Sequence, residues 1–181
     1  MSTHLGLLAV DLQPVYTALM PEPEAFLKRV QFTIEAATLL GIPSFFTEQN
    51  PARLGGSHPE VLACAPEAHP PFAKTSFSAL KNDLTLDSIR ERNIDHLLLV
   101  GLESSICIYQ TALDALAQDI GVTILSDATA SRIHEDKLIV EEALEKAGCT
   151  LLPSETVFYS ILGTSDHPQF RDFLNLVKKH N

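Results

Sequence analysis

Apolar positions along the chain follow two rhythms. Short unbroken runs, Leu5-Gly6-Leu7-Leu8-Ala9-Val10 and Leu97-Leu98-Leu99-Val100, have the pattern of strands buried on both faces of a parallel sheet. Similar runs at Ile42 to Thr47, Val122 to Leu125 and Cys149 to Leu152 predict further strands. Between them, apolar residues recur every three or four positions. Pro23 to Leu40 carries Phe26, Val30, Ile34 and Ala37 on one face and stops at Gly41, which predicts an amphipathic helix. Leu84 to Arg92 and Asp136 to Ala147 predict two more helices, the second turning Ile139, Val140, Ala143, Leu144 and Ala147 inward. Ser105 to Gln118 is apolar nearly all round, which predicts burial on several sides and a share for a second subunit. Ser154 opens a short helix, and Phe170, Phe173, Leu174 and Val177 form the stripe of a closing one.

Strands alternating with helices predict an α/β fold. Its expected form is three-layer α-β-α, with an open, mostly parallel sheet of about six strands. Right-handed crossovers bring the carboxyl ends of the strands to one edge, where open α/β sheets bind ligands. Two reactive groups fall there. Asp11 follows the first strand, directly before Leu12-Gln13-Pro14, where a turn or cap aspartate is the alternative. Cys107 follows Gly101-Leu102-Glu103-Ser104-Ser105-Ile106, in the first turn of the expected helix. Ser104 or Ser105 is the candidate cap, and the positive end of the helix dipole would favour a thiolate. A free cysteine among aliphatic residues is also commonly just a small buried hydrophobe. The segment alone leaves both roles open.

Composition narrows the class. The 181 residues predict one domain over 1–181, with 45% hydrophobic and 20% charged positions as in ordinary globular proteins. A net charge of −10 argues against a nucleic-acid partner, which needs a basic face. Cys64, Cys107 and Cys149 are odd in number and unpaired in spacing, so they suggest neither a disulfide framework nor a zinc site. They fit a reducing compartment. The run Leu5 to Val10 meets Asp11 too soon for a signal or a membrane span, so the expectation is a cytoplasmic protein with no membrane partner.

The remaining segments are less definite. Glu48 to Gly56 is a polar, glycine-bearing loop that could fold over a site or simply connect a βα unit. Ser57 to Pro71 holds His58 and His69 without a carboxylate at metal-ligand spacing, which favours surface histidines. Lys74 stands between apolar neighbours in Phe72-Ala73-Lys74-Thr75-Ser76-Phe77-Ser78. It is either drawn inward or snorkelling.

Three of these segments together resemble the isochorismatase-like cysteine hydrolases: Asp11-Leu12-Gln13, Lys74-Thr75-Ser76-Phe77-Ser78, and Gly101 to Ile108 followed by Thr111-Ala112-Leu113-Asp114. The resemblance runs over nearly the whole chain and is greatest to the isochorismatase domain-containing branch. That branch is suggested by Thr47-Glu48-Gln49, Pro51, Leu54-Gly55, Asp127-Ala128, Ser131-Arg132, Ala147-Gly148-Cys149, Ser154-Glu155 and His167-Pro168-Gln169-Phe170.

The resemblance implies an isochorismatase-like (Rossmann-like) fold and a catalytic triad of Asp11, Lys74 and Cys107. It also implies a thioester intermediate on a small carbonyl or amide substrate, a cis bond between Leu102 and Glu103, and an oxyanion hole from the amides of Glu103 and Cys107. A homo-oligomer is implied as well. Tyr16, Gln49, Phe77 and Ile108 are the candidate pocket residues. No cofactor is implied. The Asp-x-His pattern with which the nicotinamidase branch holds a metal is replaced here by Glu48-Gln49-Asn50-Pro51, so no metal is expected. Glu103 stands where relatives have a small residue, and contact with substrate, a subunit interface or solvent are its three open placements. Ser104-Ser105 replaces the commoner Thr-Asp pair, and Tyr16 a phenylalanine. The competing functions are vinyl-ether hydrolysis of the isochorismatase type and a non-catalytic oligomeric role.

Overall fold

The computed structural model describes residues 4–180. Six strands are β1 (Leu5–Val10), β2 (Ser44–Gln49), β3 (Phe72–Lys74), β4 (His96–Leu102), β5 (Gly121–Ala130) and β6 (Thr150–Leu152). They pair in the order β3-β2-β1-β4-β5-β6, every neighbour parallel. The helices of the first half are α1 (Pro14–Thr17), α2 (Pro23–Leu39), α3 (Pro51–Leu54), α4 (Pro59–Leu62) and α5 (Asp83–Glu91). Those of the second half are α6 (Tyr109–Leu116), α7 (His134–Ala147), α8 (Ser154–Leu162) and α9 (Phe170–His180). None is long and apolar enough to cross a membrane.

The side-chain alternation of a strand explains the layers. Leu7 and Ala9 of β1, with Leu98 and Val100 of β4, face α2, α8 and α9, where Phe32 packs edge-on to Phe158 and tilted against Phe173. Leu8 and Val10, with Leu97 and Leu99, face the opposite way onto Ile89 of α5, Ala112 and Ala115 of α6 and Leu144 of α7. Strands covered on both faces have no polar side to alternate with, so their sequence is continuously aliphatic.

From β1 the chain steps outward through β2 to β3, and from β4 it steps the other way through β5 to β6. The order therefore reverses between β1 and β4. At such a point the loops leaving the two carboxyl ends part, and a crevice opens between them. Asp11 leaves β1 there and Glu103 leaves β4. Gly101 sits at the narrowest part, paired with Val10, at φ +113°, and a Cβ on it would fall inside the Val10 carbonyl. Gly101→Ala is therefore expected to cost about 3–5 kcal/mol, combining backbone strain with overpacking. Urea denaturation checks this; a loss under 1 kcal/mol would show that the two strands have room to part.

Several sequence expectations need correction. Phe72–Lys74 is an edge strand too short to carry a readable period. β5 does not stop at Leu125 but runs on to Ala130, after its register with β4 shifts between Leu99 and Gly101. Asp127, inside that strand, accepts from Ser154 N (2.7 Å) and Ser154 Oγ (2.7 Å) and so fixes the start of α8. In α7 only Leu144 is buried; Ile139 is 66% exposed, and Ala143 and Ala147 are exposed too. Of the residues expected inward, Leu144 is covered and Val140 partly so. The segment after β4 begins as a π-turn, Ser104–Ile108, and neither Ser104 nor Ser105 caps it with its side chain. Instead the Ser105 N–H donates to Ser131 Oγ (3.2 Å), just beyond β5.

Candidate active site

Asp11 closes β1 in the left-handed region, φ +53°, its N–H donating to the Thr47 carbonyl of β2 (3.1 Å). That turn directs its carboxylate back under the crevice, where it is 1% exposed. Thr47 Oγ1 donates to Oδ1 at 3.0 Å. Lys74 comes from the sheet edge: β3 pairs Lys74 with Gln49 of β2, and the long side chain reaches inward from there. Its Nζ donates to Asp11 Oδ2 (2.7 Å), Gln49 Oε1 (2.7 Å) and the carbonyls of Ser76 (3.1 Å) and Phe77 (3.0 Å). Lys74 Nζ lies 3.8 Å from Cys107 Sγ. Of the two readings open for Lys74, it is drawn inward: its side chain is fully buried, as is nearly all of Asp11's. A buried carboxylate–ammonium pair persists because oxygen acceptors take up the protons that water would otherwise hold.

Cys107 is the fourth residue of the π-turn, 8% exposed, and the Leu102–Glu103 peptide bond that leads into the turn is cis. The Glu103 backbone N–H and the Asp11 carboxyl both face the sulfur. Burial pushes the thiol up to about 12, the Lys74 ammonium pulls it down, and the Asp11 carboxylate pushes it up again. The expected stabilisation of a thiolate by the turn's dipole is therefore overridden. The two neighbouring charges oppose each other, and desolvation decides. Burial likewise raises the Asp11 carboxyl, against the pull of Lys74 and the hydrogen bonds from Lys74 and Thr47. Burial thus favours the neutral thiol, beside the hydrogen-bonded pair of Asp11 and Lys74.

A cavity of about 220 Å³ opens onto these groups, lined by Asp11, Tyr16, Leu19, Gln49, Phe77, Leu102, Glu103, Ile106, Cys107 and Arg132. Of the candidate pocket residues, Tyr16, Gln49 and Phe77 line this cavity, Phe77 at 55% exposure forming part of the mouth. Ile108 does not. It is buried in the core between the sheet and α6, and Ile106, two positions earlier, takes the wall instead, because the π-turn rotates the segment. The phenol of Tyr16 is raised by burial and by the nearby acidic groups, Asp11 first among them.

Sequence reasoning gave no pocket role to Leu19, Leu102, Ile106 and Arg132, nor any role to Gln13. The buried Gln13 side chain donates to the carbonyls of Gln49 (3.1 Å) and Gly55 (2.6 Å) and accepts from Gln49 N (2.7 Å). With Glu48 Oε1 accepting from Ser57 N (2.7 Å), it ties down the loop that the sequence offered as a lid. His58 hydrogen-bonds Thr17 Oγ1 and Glu60, and His69 stacks on Phe72, both outside the cavity lining. Among the described residues no group of three His, Cys, Asp or Glu side chains is placed to hold a metal ion.

Comparison with known proteins adds the following. Residues 6–156 match the Isochorismatase domain. Isochorismatase domain-containing protein 2 of Bos taurus is 35% identical over 149 residues, covering 81% of this chain and 70% of that protein. Isochorismatase domain-containing protein 1 of Danio rerio is 32% identical over 148 residues, covering 82% of this chain; the match spans 52% of that relative's length. The structure of a Caenorhabditis elegans protein described as MAR1 ribonuclease superposes with a TM-score of 0.91 at 32% identity, covering 97% of this chain and 90% of that one. The Escherichia coli YcaC gene product, described as an octameric hydrolase of unknown specificity, superposes at 0.79 with 20% identity over 98% of this chain and 93% of that one. At that identity the likeness is one of fold alone.

Proposed function

The chain belongs to the isochorismatase-like hydrolase family, and on that premise we propose that it is a cysteine hydrolase of a small carbonyl compound, cleaving a C–N bond through a thioester on Cys107. One observation carries the reading. Asp11, Lys74 and Cys107, from three separated segments, meet in a buried contact, with Asp11 and Cys107 lining the cavity and Lys74 behind them. A purely structural cysteine needs no such company.

The resting thiol defines the chemistry. Burial holds the sulfur above the ordinary thiol range, which favours the thiol as its resting form. The proton must leave as the C–S bond forms, and Asp11 is the base in reach. Because burial also raises the Asp11 carboxyl, the gap in proton affinity that this transfer has to cross is narrowed. The carbonyl oxygen of the tetrahedral intermediate would lie toward the N–H groups of Glu103 and Cys107, the oxyanion hole of this reading. Collapse of the intermediate expels the amine, which takes the proton from Asp11. Water then attacks the thioester, giving its proton to Asp11, and the acid leaves as the thiol re-forms. Lys74 keeps the Asp11 carboxylate in place and offsets the negative charge that moves between oxygen and sulfur.

A second reading is phosphodiester cleavage, favoured by the relationship to the C. elegans protein described as a ribonuclease. The net charge of −10 and a cavity of about 220 Å³ weigh against a polynucleotide in this site. Exposed apolar side chains, among them Leu19 and Phe77 at the mouth and Ile133, Leu138 and Ile139 on and beside α7, support a homo-oligomer.

The test is an acid quench. The protein is mixed with a panel of small carboxamides and, separately, a short RNA, then quenched in milliseconds to seconds and mapped by peptide mass. The expected result is an acyl adduct on the Cys107 peptide with a burst of ammonia. Ammonia release without an adduct, or RNA cleavage by protein inert toward every amide, would overturn the reading.

A further inference from the structure

Glu103 is not simply turned to solvent. Its carboxylate, on a side chain 10% exposed, is turned onto Arg132. Oε1 accepts from Arg132 N (3.1 Å) and Nε (3.0 Å), and Oε2 accepts from the same Nε (3.1 Å). Both residues line the cavity that holds Cys107. Among the described residues the two Nη groups of Arg132 have no hydrogen-bond partner, and the guanidinium is half exposed.

An arginine on the wall of a mostly apolar pocket is by its own chemistry a receptor for a carboxylate. Here the chain supplies that carboxylate itself. A substrate anion reaching for Arg132 would have to lie beside the Glu103 carboxylate, whose side chain is 10% exposed, among the apolar side chains of Leu19, Phe77, Leu102 and Ile106. A cation gains little either, because the Glu103–Arg132 and Asp11–Lys74 pairs each cancel. We propose that Glu103 is a specificity-determining residue: by occupying Arg132 it closes the site to carboxylate-bearing compounds and restricts it to uncharged acyl substrates. This is discrimination by a built-in repulsion rather than by a better contact. The proposal rests on Cys107 as the nucleophile and adds the substrate's charge.

Thiol reagents of one size and different charge test it without knowledge of the substrate. Hydroxyethyl, sulfonatoethyl and aminoethyl methanethiosulfonate are applied to the full chain, and disulfide formation at Cys107 is timed by peptide mass. Each rate is divided by that of a free thiol. In the wild type the sulfonate-to-hydroxyl ratio is expected well below one. Glu103→Gln should raise it about tenfold, the effect of roughly one pK unit of charge interaction. Adding Arg132→Gln to that variant should bring it down again. Arg132→Gln alone bares the carboxylate and should lower the ratio below wild type. That last comparison decides the matter if Glu103→Gln does not fold. Ratios that stay within twofold across the variants, while the neutral reagent still labels Cys107, overturn the selectivity proposal alone. A Cys107 that none of the three reagents labels overturns the nucleophile, and the proposal with it.

Discussion

Asp11→Asn is expected to lower hydrolysis about 100- to 10,000-fold at neutral pH, the range for loss of a positioned general base. Asparagine keeps the size of the side chain and can still accept from Thr47, but it cannot take the thiol proton. What activity is left must come from thiol that ionises unaided, so it should rise with pH, about tenfold per unit. The plateau is also fixed in direction. In the wild type the sulfur stands at about 12, held up by burial and by the Asp11 carboxylate and held down by Lys74. Removing the carboxylate leaves the cation unopposed, so the variant's profile should level off below pH 12. The wild type should behave oppositely in acid, losing activity as pH falls through the raised Asp11 pKa and the base becomes protonated. Pre-steady-state rates from pH 5 to 10 on both proteins check this. A variant within tenfold of wild type at pH 7 would remove Asp11 from the mechanism.

Lys74→Met should cost about 3–5 kcal/mol of stability at pH 7.5, because it strands a buried carboxylate without its partner. Methionine fills the channel of the lysine stem but offers Asp11 nothing. The sign of the pH dependence follows from linkage. Asp11's folded pKa lies above its unfolded value of 3.8. Its carboxyl therefore contributes stability that is full below that value and lost as pH rises through the folded pKa. Lys74's charge and hydrogen bond both hold the folded pKa down, so the substitution drives it higher still. The deficit should be larger at neutral pH than in acid, where Asp11 becomes protonated. Urea midpoints at pH 7.5 and pH 5 measure this, and Asp11→Asn in the same chain should recover most of the loss. An equal deficit at both pH values would mean that Asp11 is not the group left stranded.

Much of this arrangement is legible in the chain, and the illegible parts share a cause. The aliphatic runs of β1 and β4 are unambiguous because burial on both faces leaves no other composition possible. The placing of Asp11 and the Cys107 turn at one edge then follows from parallel pairing alone. Lys74 is different. Its local context suits a surface lysine as well as a buried one. What brings it in is the pairing of a three-residue strand with Gln49, a contact that no local period announces. Ile108 and Ile106 differ because the segment turns as a π-turn, and a reading by 3.6-residue spacing puts the wrong one on the wall. On α7 the apolar residues outnumber the positions the sheet can cover. A pattern can show that a helix has an inward face without showing which.

Lys74 stands 63 positions from Asp11 and 33 from Cys107, and each of the three is fixed by a different strand end. Parallel strands cannot close on one another through a local turn; each pairing waits for a long loop to be drawn in. No contiguous piece of the chain short of residues 11 to 107 carries all three groups, and a nascent or frayed molecule presents at most a lone cysteine and a solvated carboxylate. On the proposed mechanism, hydrolysis is thus a property of the finished topology, available only when the centre and one edge of the sheet have docked; a partly folded chain keeps an ordinary thiol, with no base or cation aligned to use it.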